Sequence, residues 1–598
     1  VTGRRVLGWS LLALAACGGG QTRLNLFSTQ WEDDRGASIA AVWKRIGSRE
    51  IPAAADVVVG VSAHGDTMIG LPLLGHQAPW TFSHPLDARP VVAGNVVVGS
   101  GGGEAFALDA TTGQVIWRRA TGGLALTGAG DDGAVTVVTF QRSGGLGSVL
   151  LGVTHDGEVV RQIETDKALG APAVIDRMAF VPWSGEYVSV IDLSNGDETA
   201  RVTVREETSR AWTASGSLWF GERAFTRFDE RIAEASSDKA STATVPLRDL
   251  PGTPKLMPPG ATPLPPEANA GDKVRLYARP IPAPSGIAIE DGRHYATYFR
   301  VAMGFDTAGG KLGWVHVSDA DFLGGGAAPG GIVLCDERGS VIAFDAATGG
   351  VISKSTLGQP IRACVVNVDS LRLSHGPEEP PLVAQLEAAV RVDDPMITSA
   401  QRFLLRELTA VDDPTVTQTL VDLASDPRTS PDLLADGRKA LAKRRNGAPA
   451  MEAALQRHYD FLRDILRAPP VGPIADALAG MRETSAAPLL AAHLLDPADS
   501  EDDLKRAAAA LAVLAGPGEV PTMRQFFGMY RASADDDDVV AAVVSIGKAL
   551  LTTSDHAARA DVEAAIDDPM TVPSAKEGLL AARTAERTAP AAADNVEK

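Results

Sequence analysis

Glu104-Ala105-Phe106-Ala107-Leu108-Asp109-Ala110-Thr111-Thr112-Gly113-Gln114-Val115-Ile116-Trp117 decides the fold of this chain. It reads as a strand, a tight turn and a second strand. Asp109 can accept hydrogen bonds from amides two or three residues on, which closes a type I turn. Gly113 can take the left-handed conformation that returns the chain to a strand. Upstream, Val91-Val92-Ala93-Gly94-Asn95-Val96-Val97-Val98-Gly99-Ser100 adds two short β-branched runs around a turn. The unit is therefore two hairpins in succession.

The unit recurs. Gly331-Ile332-Val333-Leu334-Cys335, then Ser340 to Asp345-Ala346-Ala347-Thr348-Gly349, is a close copy, and His294 to Asp306 and on to Trp314 is another. Degenerate copies carry Asp192 to Gly196 and Phe225 to Asp229. Asp192 to Asp229 spans 37 residues and Asp306 to Asp345 spans 39. A four-stranded unit repeated at about 40 residues is the mark of a β-propeller. Seven units can be counted, the first near Val57 to Val61. An eighth has room between Lys239 and Pro284, although the prolines there (Pro251, Pro254, Pro258, Pro259) favour an inserted loop. The last strand-like run, Ile361 to Val368, is expected to complete the first blade, which removes exposed sheet edges.

The segment ending Asp109-Ala-Thr-Thr-Gly113-Gln-Val-Ile-Trp117 resembles the repeat of the PQQ-like β-propeller superfamily. That family includes quinoprotein dehydrogenases and the BamB-type lipoproteins of outer-membrane barrel assembly. The resemblance covers roughly residues 50 to 370. It implies that Trp117 and Trp314 dock each blade on its neighbour. The other implied structural positions are the hairpin residues Asp109, Gly113, Asp192, Asp306, Asp345 and Gly349. The repeat is structural, so the likeness speaks for fold more than for activity.

The N-terminus bears on compartment. Arg4-Arg5 precede a short apolar run that ends Leu14-Ala15-Ala16-Cys17-Gly18-Gly19-Gly20. The run suits a signal-peptide core and is too short to span a bilayer. Its end resembles the bacterial lipobox, which implies a diacylglycerol on Cys17, cleavage before it and a glycine tether after it. Val1 is read as a start from a non-AUG codon, with nothing missing. Gly18, where aspartate would favour inner-membrane retention, points to the outer membrane, facing the periplasm. The net charge is -19, or -21 once Arg4 and Arg5 are removed. Such a surface repels nucleic acid and anionic headgroups, so the lipid supplies the membrane affinity. After Cys17 only Cys335 and Cys364 remain, both in apolar runs, and they are read as two buried thiols in preference to a bridge.

Near Leu371 the composition turns to alanine and leucine and the period becomes helical. Ile397, Ala400, Leu404 and Leu408 share a face, as do Val539, Val543, Ile546 and Leu550. Asp394-Pro395, Asp413-Pro414, Ser430-Pro431 and Asp496-Pro497 read as helix starts. The pattern resembles HEAT-like solenoids, with an irregular helical bundle as the alternative. The expected fold is a seven- or eight-bladed PQQ-like β-propeller followed by an all-α HEAT-like helical-repeat domain. The expected boundaries are 1–16 signal peptide, 17–50 tether and N-terminal segment, 51–370 propeller with a proline-rich insertion about 245–272, 371–587 helical domain and 588–598 disordered tail.

Motifs for chemistry are sparse. A quinoprotein needs a cofactor, a calcium ion and a catalytic carboxylate, and several also use a vicinal disulfide, for which no adjacent cysteines exist. Asp192 to Glu198 lacks the carboxylate spacing of an EF-hand. Gly99 to Gly103 lacks the lysine and helix of a phosphate loop. Ser62, His64 and Asp66 lie too close in one hairpin to form a triad. Asp535 to Asp538 suits the positive end of the following helix. The reading is a non-enzymatic, lipid-anchored envelope scaffold with protein partners, possessing no catalytic residue, cofactor, metal or nucleic-acid partner, with a BamB-like assembly role as its narrower form. The alternative is a PQQ-dependent or other propeller-based periplasmic oxidoreductase.

Overall fold

The structure, a computed structural model, describes residues 26–29, 41–227, 245–246, 274–457 and 468–588, apart from 43, 48, 76, 204–207, 222–223, 284–285 and 307–310. Cys17 and the segment expected to be a signal peptide, nearly all of the proline-rich stretch, Asp229 and the tail from 589 lie outside the described residues.

Seven four-stranded antiparallel sheets follow one another along the chain. Blade 2 shows the plan: Val91–Ala93, Val96–Gly101, Glu104–Asp109 and Val115–Ala120 run from the inner to the outer strand. Blade 3 (Ala125 to Thr165), blade 4 (Ala173 to Thr203), blade 5 (Arg210 to Pro246), blade 6 (Val274 to Val317) and blade 7 (Phe322 to Thr356) repeat it. Blade 1 has Val57–Ser62, Thr67–Pro72 and Trp80–Ser83, and its inner strand comes from Ile361–Asn367, with Gly60 opposite Cys364. The ring is thus closed by the far end of its own chain, and the described residues make seven blades. The proposed space for an eighth holds, in part, a two-stranded hairpin, Pro280–Ala283 with Gly286–Ile289, inserted after the first strand of blade 6.

Burial explains the sequence pattern. The second strand of blade 2 is buried along its whole length, whereas the outer strand is mostly exposed. A middle strand packs on both faces, so it reads as an unbroken apolar run without alternation.

The turns have the hydrogen bonds that their residues allow. Asp109 Oδ1 accepts from the amides of Thr111 (3.0 Å) and Thr112 (2.7 Å), and Asp345 Oδ1 from those of Ala347 (2.7 Å) and Thr348 (2.9 Å). Gly113 and Gly349 both sit at φ 72°. Asp192 Oδ1 accepts from Ser194 N at 2.9 Å, and Asp306 N donates to Lys311 O at 2.9 Å. These strand-end turns receive tryptophans from the preceding blade. The Trp314 indole donates to Ala346 O at 3.1 Å, and the Trp80 indole to Ala110 O at 2.9 Å. Trp117 donates to Thr136 Oγ1 in blade 3 at 3.3 Å. Trp80 was not legible in the repeat because no aspartate-to-glycine turn precedes it.

The two cysteines correct the thiol expectation: Cys335 and Cys364 form a disulfide with Cα atoms 6.6 Å apart. They lie in different blades, so their approach depends on ring closure and not on either local run. Residues ahead of blade 1 also pack on the ring. Val42 and Ile46 join the apolar core shared by blades 4 and 5, Phe27 stacks edge-on against Trp183, and Arg45 pairs with Asp192 at 2.7 Å.

The chain divides into two units at Glu379/Pro380. The second contains twelve described helices: α1 (Leu382–Val390), α2 (Thr398–Thr409), α3 (Pro414–Ser425), α4 (Pro431–Leu441), α5 (Ala448–Leu455), α6 (Val471–Met481), α7 (Ala487–His493), α8 (Glu501–Leu514), α9 (Val520–Tyr530), α10 (Asp537–Thr552), α11 (His556–Asp567) and α12 (Pro573–Thr588). Each odd helix packs on the next even one and on the next odd one, and the even helices likewise pack in series. That is a two-layer solenoid of helix pairs, not an irregular bundle. Asp413 caps α3 through Thr415 N at 2.9 Å, and Asp536 caps α10 through Asp538 N at 2.7 Å. Asp394 caps only a short turn ahead of α2. Asp496-Pro497 starts no helix: Asp496 closes a turn on Ala498 N, and Ser500 caps α8. Proline fits a turn as well as a first helical residue, so the motif alone does not separate them.

Candidate functional site

Polar groups of four blades converge where the ring closes. The inner strand of blade 7 contains Gly324-Gly325-Gly326, which leaves no side chains in its path. A Cβ on Gly324 would lie 2.6 Å from Cys364 O and 3.4 Å from Arg89 Nη2. Into this space Arg89, on the approach to blade 2, donates to Cys364 O of blade 1. Arg275, on the inner strand of blade 6, donates to Leu323 O of blade 7. Two guanidinium groups thus face the seam from either side on backbone carbonyls. Burial lowers the Arg89 pKa to about 10, and the charge of Arg275 adds to the effect, yet Arg89 remains cationic at neutral pH. Arg362, also on the closing strand, donates to Leu86 O at 3.2 Å. Chemically this is a cationic lining suited to a carboxylate or other anionic group. The triple glycine was the sequence signal for a close approach; the three arginines had none, because they come from three blades.

A second network seals the chain's exit from the ring. Asp56 Oδ1 accepts from the amides of Asp369 (2.6 Å) and Leu371 (3.0 Å). Arg279 pairs with Glu290 at 2.6 Å and Asp369 at 3.3 Å. Burial raises the Glu290 pKa despite that arginine. These acids have structural partners.

The other acids and hydroxyls singled out in the sequence are also engaged. Ser62 donates to Asp66 at 2.8 Å within their hairpin, which lowers the Asp66 pKa. Glu198 accepts from Ser189 and pairs with Arg201 at 2.6 Å. Gly102 and Gly103 form a blade turn at φ 58° and 81°. Among the described residues, the one group of His, Cys, Asp and Glu side chains able to converge on a metal ion is His493, Asp496 and Asp499, in the helical unit. There His493 Nε2 donates to Leu455 O (2.9 Å) and Nδ1 meets Asp499 (2.9 Å), whose carboxylate raises the histidine's pKa against the effect of burial. Among the described propeller residues no three such side chains converge on one point.

His294 is wholly buried in blade 6, stacked on Phe305 with ring centroids 5.0 Å apart, and neither ring nitrogen has a hydrogen-bond partner. Burial lowers its pKa from 6.5 to about 4. As pH falls through 6.5 the unfolded chain takes up this proton first, while the folded ring resists until pH 4. Stability is therefore present above pH 6.5 and lost progressively down to about 4, by about 3 kcal/mol in all. Urea unfolding of the propeller at neutral and mildly acidic pH checks this: His294→Phe should flatten the decline, and an unchanged slope would remove histidine as its cause.

The fold and seam define the class: a seven-bladed propeller whose conspicuous residues serve turns and blade packing, joined to a helical solenoid. Residues 31–222, less than half of the chain, match the model of the family described as outer membrane protein assembly factor BamB, so that part of the ring is similar to the PQQ-like propeller of that family. No curated protein matches the chain. Among solved structures, BamB from Moraxella catarrhalis is 16% identical, with 51% of this chain and 84% of that chain covered and a TM-score of 0.28. The dihydro-heme d1 dehydrogenase NirN is 14% identical over 52% of this chain and 66% of its own, with a TM-score of 0.30. AztD from Citrobacter koseri is 11% identical over 53% and 99%, with a TM-score of 0.28. Values this low say nothing about activity.

Proposed function

We propose that this protein is a non-enzymatic scaffold of the bacterial cell envelope, held by a lipid on Cys17 at the outer membrane and facing the periplasm. Its PQQ-like ring and helical repeats bind envelope proteins, and its narrower role is in outer-membrane protein assembly. The observation that carries the reading is the match of residues 31–222 to a family described as an outer-membrane assembly factor. One feature supports it: the acids of the strand-end turns are spent on backbone amides. No described helix is long and apolar enough to cross a membrane.

Crosslinking in intact envelopes, with Cys17→Ala beside the native chain, tests both parts. The native chain should fractionate with membranes and recover barrel-assembly components. Cys17→Ala should release it to the soluble periplasmic fraction. Unchanged fractionation of the variant removes the anchor, and failure to recover any assembly component removes the narrower role.

A further inference from the structure

Helices α4, α6 and α8 enclose a groove of 790 Å³ in the solenoid. Arg438, Lys439, Lys443, Arg445 and Arg506 line it against one carboxylate, Asp476, and alanines of all three helices make up the rest. In a chain of net charge -19, this is a local reversal of sign. Two of the cations are held in place by acids: Arg506 pairs with Asp476 at 2.6 Å, and Arg438 with Asp503, which lies behind it. Lys439 and Lys443 are exposed. Among the described residues neither they nor Arg445 has an acidic partner; Arg445 donates to Arg444 O at 2.7 Å.

The negative end of α4 accounts for one cation in its last turn. It does not account for Lys443 beyond the helix end, nor for Arg506 arriving from α8. Repulsion among the unpaired Lys439, Lys443 and Arg445 is relieved if the groove holds an anionic group.

We propose that this groove binds an acidic peptide segment of a partner protein. Alanine walls let an extended or helical backbone approach closely, and guanidinium and ammonium groups from two helices meet its carboxylates. A concave, one-signed wall also concentrates the field on a narrow chain. A flat anionic bilayer would have to approach the acidic surface around the groove as well. Among the described residues no aromatic side chain lines the groove as a platform for stacked bases.

The inference rests on the scaffold reading and is tested apart from it. A fluorescein-labelled hexaglutamate peptide is titrated with the full chain at low and near-physiological salt, and anisotropy is read. Binding should saturate and weaken as salt rises. Lys439→Glu with Lys443→Glu should weaken it by about tenfold or more, with the helical content unchanged. Lys311→Glu with Lys354→Glu, an equal charge change in the propeller, should leave it nearly intact. Equal losses in both variants, absence of saturable binding, or binding to phosphatidylglycerol vesicles alone would each overturn the proposal. Envelope partners recovered through a chain that fails the titration would remove the groove alone. A peptide-binding groove with no partner recovered would remove the scaffold role alone.

Discussion

Trp314→Ala should destabilise the propeller by about 3–5 kcal/mol, the largest effect expected of a single substitution in this chain. The indole is fully buried between blades 6 and 7. It lies against Gly304 and Gly349, where a Cβ would come within 2.2 and 2.5 Å of its atoms, and it stacks beside Phe344 at 5.9 Å. Truncation leaves a cavity that two glycines cannot fill, and it leaves Ala346 O without its donor. Trp314→Phe keeps most of the volume and loses the hydrogen bond, so its deficit should be much smaller, with about 1 kcal/mol from the bond itself. Urea unfolding followed by near-ultraviolet circular dichroism separates the two. A Trp314→Ala loss below about 1 kcal/mol would mean that blades 6 and 7 do not depend on this contact.

Joint replacement of Cys335 and Cys364 by alanine, or reduction of the native chain, should lower propeller stability by about 3–4 kcal/mol. The bridge closes a 29-residue separation between blade 7 and the closing strand of blade 1. Without it the unfolded ensemble gains the freedom of that loop, and the last strand is held only by its ladder and packing. The helical unit contains no cysteine, so its far-ultraviolet signal is an internal reference that reductant should not move. Equal propeller midpoints with and without reductant would show that the seam does not need the bond.

Much of the ring was legible because its information is local. Asp109 with Gly113, and Asp345 with Gly349, announce turns through backbone geometry that only such residues satisfy cheaply. Val539, Val543, Ile546 and Leu550 announce a buried helix face in the same way, and all four are buried. The candidate site was not legible. Arg89, Arg275 and Arg362 lie in separate blades, each unremarkable beside its own neighbours, and only the glycines around Gly324 hinted at a close approach. Lys439, Lys443 and Arg506 likewise form a groove only once three helices pack side by side.

By itself, then, the order of residues determined the repeat, its turns and the change to helices after the ring, since those depend on contacts within a few residues; the boundary itself falls at Glu379/Pro380, because Leu371 and Leu373 still pack on the propeller. The fold in three dimensions decided that the ring has seven blades, that Cys335 meets Cys364, that Trp80 docks on blade 2 and that arginines from distant blades share one seam. Such pairings join segments far apart in the chain, and their energies exist only after closure has brought those segments together.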